Sequence, residues 1–129
     1  MTDAPQTVAV LNTSDDVVEL LRILFEQNGY VVISAHLDDI KRGSVDIEAL
    51  IRQHRPAVVL YDIAPPYDRQ WVFMKHMRSR PVFDGIPFVL TTTNAARVRD
   101  IVGQDVLEIV GKPYDLDEIL AAVKTALQR

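Results

Sequence analysis

The chain has 129 residues, no cysteine and a formal net charge of −4. That length can bury a full core in one domain without covalent staples. The missing Cys excludes a disulfide framework, a zinc ribbon and thiol chemistry, and the acidic balance argues against a nucleic-acid partner.

Met1 to Thr7 carries neither the basic nor the apolar part of a leader, and no apolar run reaches membrane-spanning length. A cytoplasmic protein without a membrane partner is the expectation. No repeat, low-complexity tract or linker appears, so residues 1–129 are expected to form a single domain with no output domain.

Val8-Ala9-Val10-Leu11 reads as a first strand ending at Asn12-Thr13. Ser14 or Thr13 can cap the next helix, and Asp15, Asp16 and Glu19 put negative charge at its positive end. Val17, Leu21, Leu24 and Phe25 form a stripe at helical spacing, stopped by Asn28-Gly29. Tyr30 to Ala35 is a second strand. His36 to Gly43 is polar and carries no clear period, while Ile47, Leu50 and Ile51 mark a short helix with Ser44 as the expected cap.

Ala57-Val58-Val59-Leu60-Tyr61-Asp62 organises the chain. A short, Val-rich apolar run reads as a strand buried on both faces. It leads directly into an acid, and Pro65-Pro66 then forbids a continued strand. Trp71, Met74 and Met77 mark the next helix face, and Arg78 to Gly85 reads as a loop. Ile86 to Leu90 is a fourth strand ending in Thr91-Thr92-Thr93, with Pro87 near its start. A short helix over 95–102 stops at Gly103. Val106 to Val110 is a fifth strand, closed by Gly111-Lys112-Pro113. Asp115 with Glu118 reads as a capping box for a last helix carrying Leu116, Ile119, Leu120, Val123 and Leu127.

Strand and helix alternate five times, which predicts an α/β fold with a parallel sheet and helices on both faces. Asn12-Thr13, Asp62, Thr92 and Lys112 each follow a strand and so share the carboxyl edge, where open sheets of this kind bind ligands. Taken singly, Asp62 reads as a turn residue, Thr92 as a strand-end threonine and Lys112 as a solvated lysine. Together an acid, a hydroxyl and an ammonium form a phosphoryl site: the carboxylate can carry phosphorus, and the other two can hold its oxygens.

The apolar strand ending in Asp62, Pro66 four residues later, Gly29-Tyr30, Phe88 to Thr92 and Lys112-Pro113-Tyr114 occur in the order that resembles the receiver domains of two-component response regulators, including the single-domain chemotaxis regulator. The resemblance spans Val8 to Leu127. It implies a flavodoxin-like, doubly wound, five-stranded parallel sheet, (βα)5. It also implies that Asp62 is the phosphoacceptor, that Thr92 binds the phosphoryl group and that Lys112 pairs with its oxygens across a cis Lys112-Pro113 bond. The backbone carbonyl of Ala64 would face the metal.

The resemblance breaks where it bears on mechanism. The family's acidic pair after strand one falls here on Asn12-Thr13, both neutral. Mg²⁺ wants carboxylate oxygens in octahedral geometry. Two unit charges about 4 Å apart repel by roughly 4 kcal/mol at an effective dielectric near 20, so an unscreened approach of phosphate to Asp62 is costly. The inherited metal set is Asp62, the Ala64 carbonyl, Asn12 and Thr13, and Mg²⁺ is a doubtful cofactor. Asp15 and Asp16 read better as serving the helix dipole. Ile109 replaces an aromatic switch residue, Arg69-Gln70 fills the slot of an Asp-Gly pair, Thr93 follows Thr92 where a small residue is usual, and the segment around 36–43 is longer than the family norm.

Two functions follow from the resemblance. One is a stand-alone receiver in a phosphorelay, fed by a histidine kinase or phosphotransfer protein, with weakened or absent Mg²⁺-dependent phosphorylation on Asp62. The other is a phosphorylation-independent pseudo-receiver that works as a protein-interaction module. Neither is an enzyme, and both imply a downstream protein partner on the strand-five face, near Arg97, Arg99 and Asp100. A flavin site, a Walker loop, a dinucleotide fingerprint and a haloacid-type phosphatase all lack their residues; for the last, Ala64 stands where a second Asp is needed. His36, His54 and His76 lack metal spacing and are expected at the surface.

Overall fold

The computed structural model describes residues 4–103, 108–111 and 115–128. In chain order these form β1 (Thr7–Asn12), α1 (Asp15–Gln27), β2 (Val31–His36), α2 (Leu37–Arg42), α3 (Ile47–His54), β3 (Val58–Ile63), α4 (Tyr67–Arg78), β4 (Phe88–Thr92), α5 (Ala95–Val102), β5 (Glu108–Gly111) and α6 (Leu116–Leu127). The five strands make one sheet in the order β2-β1-β3-β4-β5, with every pair parallel. The expected doubly wound architecture is present, and β3 is its central strand.

Pleat alternation divides the core in two. Val8, Val10, Val58, Leu60, Val89 and Val110 pack against α1 and α6 through Leu21, Phe25, Ile119 and Val123. Ala9, Leu11, Val59, Tyr61, Ile63 and Leu90 pack on the other face against α2 to α5, through residues such as Ile40, Ile51, Trp71, Met74 and Val98. Covered on both sides, β3 is buried at every position, which is why its sequence is an unbroken apolar run.

Local signals set the helix ends. Ser14 caps α1, its Oγ accepting from the Val17 N–H at 3.3 Å. Asp115 caps α6, its carboxylate accepting from the Asp117 and Glu118 N–H groups. Segment 36–43, which showed no clear period, is helical. His36 Nδ1 accepts from the Asp38 N–H at 3.1 Å to start α2, and Gly43 ends it at φ +79. His36 is therefore a half-buried cap and not a plain surface residue. The α3 cap is Asp46, which accepts from the Ala49 N–H, and not Ser44, whose hydroxyl donates back to the Asp39 carbonyl. The chain thus has six α-helices on five strands among its described residues.

Two strand boundaries also move. β4 begins at Phe88, two residues later than its apolar run predicts. Pro87 has no N–H to give, though its carbonyl accepts from the Val59 N–H at 3.0 Å. β4 instead takes in Thr91 and Thr92. The expected loop from Arg78 holds a short 3-10 turn at Pro81–Phe83, whose Phe83 is buried. Val106, predicted as the start of the fifth strand, lies outside the described residues.

Candidate functional site at the carboxyl edge of the sheet

Asp62 sits one residue before the end of β3 and is 3 % exposed. Its register partner on β4 is Thr91, so both side chains project from the same face. Thr91 Oγ1 donates to Asp62 Oδ1 at 2.7 Å, and Thr91 is itself 1 % exposed. An O–H···O⁻ bond of that length, away from water, is of the strong charge-assisted kind.

On the other flank stands Asn12, one step past the Leu11–Tyr61 register pair and buried at the end of β1. Its Oδ1 accepts from the Ser14 N–H at 3.0 Å, a turn that carries β1 into α1. Thr13 is exposed, and Ala64 is partly buried just after β3.

Thr92 is fully buried but is in register with Ile63, so it lies on the opposite face of the pleat from Asp62. Its Oγ1 accepts from the Asn94 N–H at 3.3 Å, at the start of α5. The rim is closed by two further contacts from the first turn of α4, one to the segment before α5 and one to the first turn of α5. Tyr67 Oη and Thr93 Oγ1 are hydrogen-bonded at 2.9 Å, and the Arg97 guanidinium donates to Asp68 at 3.3 Å. Lys112, with the expected cis Lys112-Pro113 bond, lies outside the described residues.

Next to Asp62 in sequence, the Tyr61 hydroxyl is fully buried in the α2–α5 core and has no hydrogen-bond partner among the described residues. Burial first, and the neighbouring Asp62 charge second, push its phenol well above the usual tyrosine range.

No family model matches the chain. Protein Rrf1 of Nitratidesulfovibrio vulgaris (strain Hildenborough) is 28% identical over 123 residues, covering 95% of this chain and 83% of that protein. A Chloroflexus aurantiacus protein assigned as a response regulator superposes with a TM-score of 0.73 at 25% identity, covering 97% of this chain and 99% of that one. The signal receiver domain from Clostridium thermocellum gives a TM-score of 0.76 at 19% identity, with 96% and 98% covered. Chemotaxis protein CheY4 of Vibrio cholerae gives 0.73 at 19% identity, with 95% and 99% covered. The chain has the fold of a response-regulator receiver domain.

Receiver domains as a group bind Mg²⁺, and the rim of this fold can be tested against that ion. It supplies one carboxylate, Asp62, with one oxygen bonded to Thr91. The Asn12 amide oxygen is engaged by a backbone N–H, and Thr13 is a neutral exposed hydroxyl. Asp15 and Asp16 are exposed in the first turn of α1. No group of three or more His, Cys, Asp or Glu is arranged to hold a metal among the described residues. Mg²⁺ demands hard anionic oxygens in near-octahedral order, and this donor set does not fit it.

Sequence reasoning brought Asn12, Asp62 and Thr92 to one edge but passed over Thr91. Its signal was there in principle: a polar residue at a β4 position whose alternate, Val89, belongs to the same core face as Leu60. Only the β3–β4 register shows that this hydroxyl meets Asp62.

Proposed function

We propose that this receiver-fold chain signals by protein contact, with Asp62 in the phosphoacceptor position and Mg²⁺-dependent phosphorylation there weakened or lost. The supporting observation is the flanking of Asp62 by a neutral Asn12 on β1 and a bonded Thr91 hydroxyl on β4. A phosphodonor brings negative charge toward a buried carboxylate, and nothing anionic on β1 recruits a divalent ion to offset it. The chain is not an enzyme on this reading. Its upstream partner is a histidine kinase or phosphotransfer protein, and its downstream partner docks on the strand-five side, where Arg99 and Asp100 are exposed while Arg97 is held by Asp68.

The test is intact mass after incubation with acetyl phosphate and millimolar Mg²⁺. Little or no gain of a phosphoryl group is expected in the wild type, with clear recovery in Asn12→Asp. Rapid Mg²⁺-dependent modification of the wild type would defeat the proposal. A second reading, a pseudo-receiver that never uses phosphate, draws on the near-complete burial of Asp62. It predicts that Asp62→Asn leaves partner binding unchanged, whereas a weakened but surviving phosphorylation predicts a loss of kinase-dependent binding.

A further inference from the structure

The function proposed above uses Thr91 only as a neighbour of Asp62, yet its hydroxyl donates directly to the acid at the centre of the site. We infer that Thr91 is a positioning residue that ties down Asp62 Oδ1 and restrains the carboxylate from attacking phosphorus. The inference rests on reading Asp62 as the phosphoacceptor position.

A carboxylate that accepts a phosphoryl group has two oxygens and two tasks. One oxygen forms the bond to phosphorus, and the other stays with whatever positive group holds the carboxylate in place. Here Oδ1 already carries the Thr91 hydroxyl at 2.7 Å. A donor on an ionised oxygen draws charge from it and fixes the plane of the carboxylate. The tie is not easily slipped. Thr91 is β-branched, stands inside β4 and is in register with its acceptor, so its χ1 has little freedom. Both partners are almost wholly buried, so water has no ready access to replace the hydroxyl. A loose surface contact would give no such restraint; an in-register, buried one does.

The step under test balances simply. An Asp62 oxygen forms a bond to the phosphorus of acetyl phosphate, the bond from phosphorus to the acetyl oxygen breaks, and acetate leaves with the electron pair. The experiment measures the initial rate of phosphoryl gain by intact mass, with acetyl phosphate and millimolar Mg²⁺. It uses the full chain as wild type, Thr91→Val, Thr91→Ala, Thr91→Ser, Asn12→Asp and Asp62→Asn, each with a thermal melt.

Thr91→Val is expected to react about tenfold faster than wild type or more, the factor that follows from losing one charge-assisted hydrogen bond. Thr91→Ser keeps the hydroxyl and is expected to stay close to the wild-type rate, a split that a merely structural role would not produce. Thr91→Ala gives the same reading as Val should the Val variant fold poorly. Asp62→Asn should gain nothing.

Folded Thr91→Val and Thr91→Ala variants no faster than wild type would overturn the restraint. If Asn12→Asp were then still sharply faster, the reading of a weakened site would stand without it. A wild type that is itself rapidly modified with Mg²⁺ would overturn the weakened site, whatever Thr91 does.

Discussion

The ends of β1 and β3 are neighbours in one sheet, yet they have opposite characters. β1 ends in a neutral amide spent on a backbone turn, Asn12 to Ser14. β3 carries, one residue before its end, a buried carboxylate held by a hydroxyl from β4. Asn12 and Asp62 are almost equally buried, and β1 and β3 are paired in parallel up to Leu11 and Tyr61, so the scaffold does not account for the difference. What differs is charge. Two neighbouring strand ends in one sheet can share burial and register and still differ in charge, and fold similarity alone does not report that difference.

The largest effect should come from making the two ends alike. In Asn12→Asp two carboxylates face each other across adjacent strands about 5 Å apart, which at an effective dielectric near 20 costs about 3 kcal/mol. Urea unfolding in EDTA should show that loss, and millimolar Mg²⁺ should restore most of it. A variant as stable in EDTA as the wild type would mean that the β1 end is farther from Asp62 than the register indicates.

Removing the β4 side of the contact should cost less. Thr91→Val leaves a buried carboxylate short of one donor, and about 1.5–3 kcal/mol of stability should be lost. The same urea series reads it, and Thr91→Ser should recover much of the difference. No loss would mean the bond contributes nothing to the folded state.

A change of opposite sign is expected one residue earlier. The Tyr61 hydroxyl is buried without a partner among the described residues, so Tyr61→Phe removes a desolvated polar group and keeps the ring. The variant should be more stable by about 1 kcal/mol. Destabilisation would show that the hydroxyl has a bonding role in solution. The smallest effect should lie on the β1 side, where Ser14→Ala removes the long 3.3 Å α1 cap bond at a cost of about 0.5 kcal/mol, visible as a lowered melting temperature. It should not change the response of Asp62 to phosphodonor, since it leaves the β3–β4 contact alone.

The central strand, the parallel architecture and the helix faces were legible because burial on two sides leaves an unbroken apolar run and a helix leaves a stripe. Trp71, Met74 and Met77 are buried on α4 as their spacing predicts. The short α2 was not legible. Six residues are too few to show a period, and its start depends on a histidine acting as cap. The β4 boundary was misread because Pro87 looks like a strand start while its missing N–H delays the ladder.

By itself the sequence determined the order of the five strands and of every α-helix but α2, the acid near the end of β3 and the absence of acid at the end of β1. Those are matters of local pattern and residue identity. Tertiary structure decided which of three consecutive threonines touches Asp62. Adjacent strand residues face opposite sides of the sheet, so a shift of one position in the β3–β4 pairing would exchange Thr91 for Thr92, and no local feature of either strand sets that pairing.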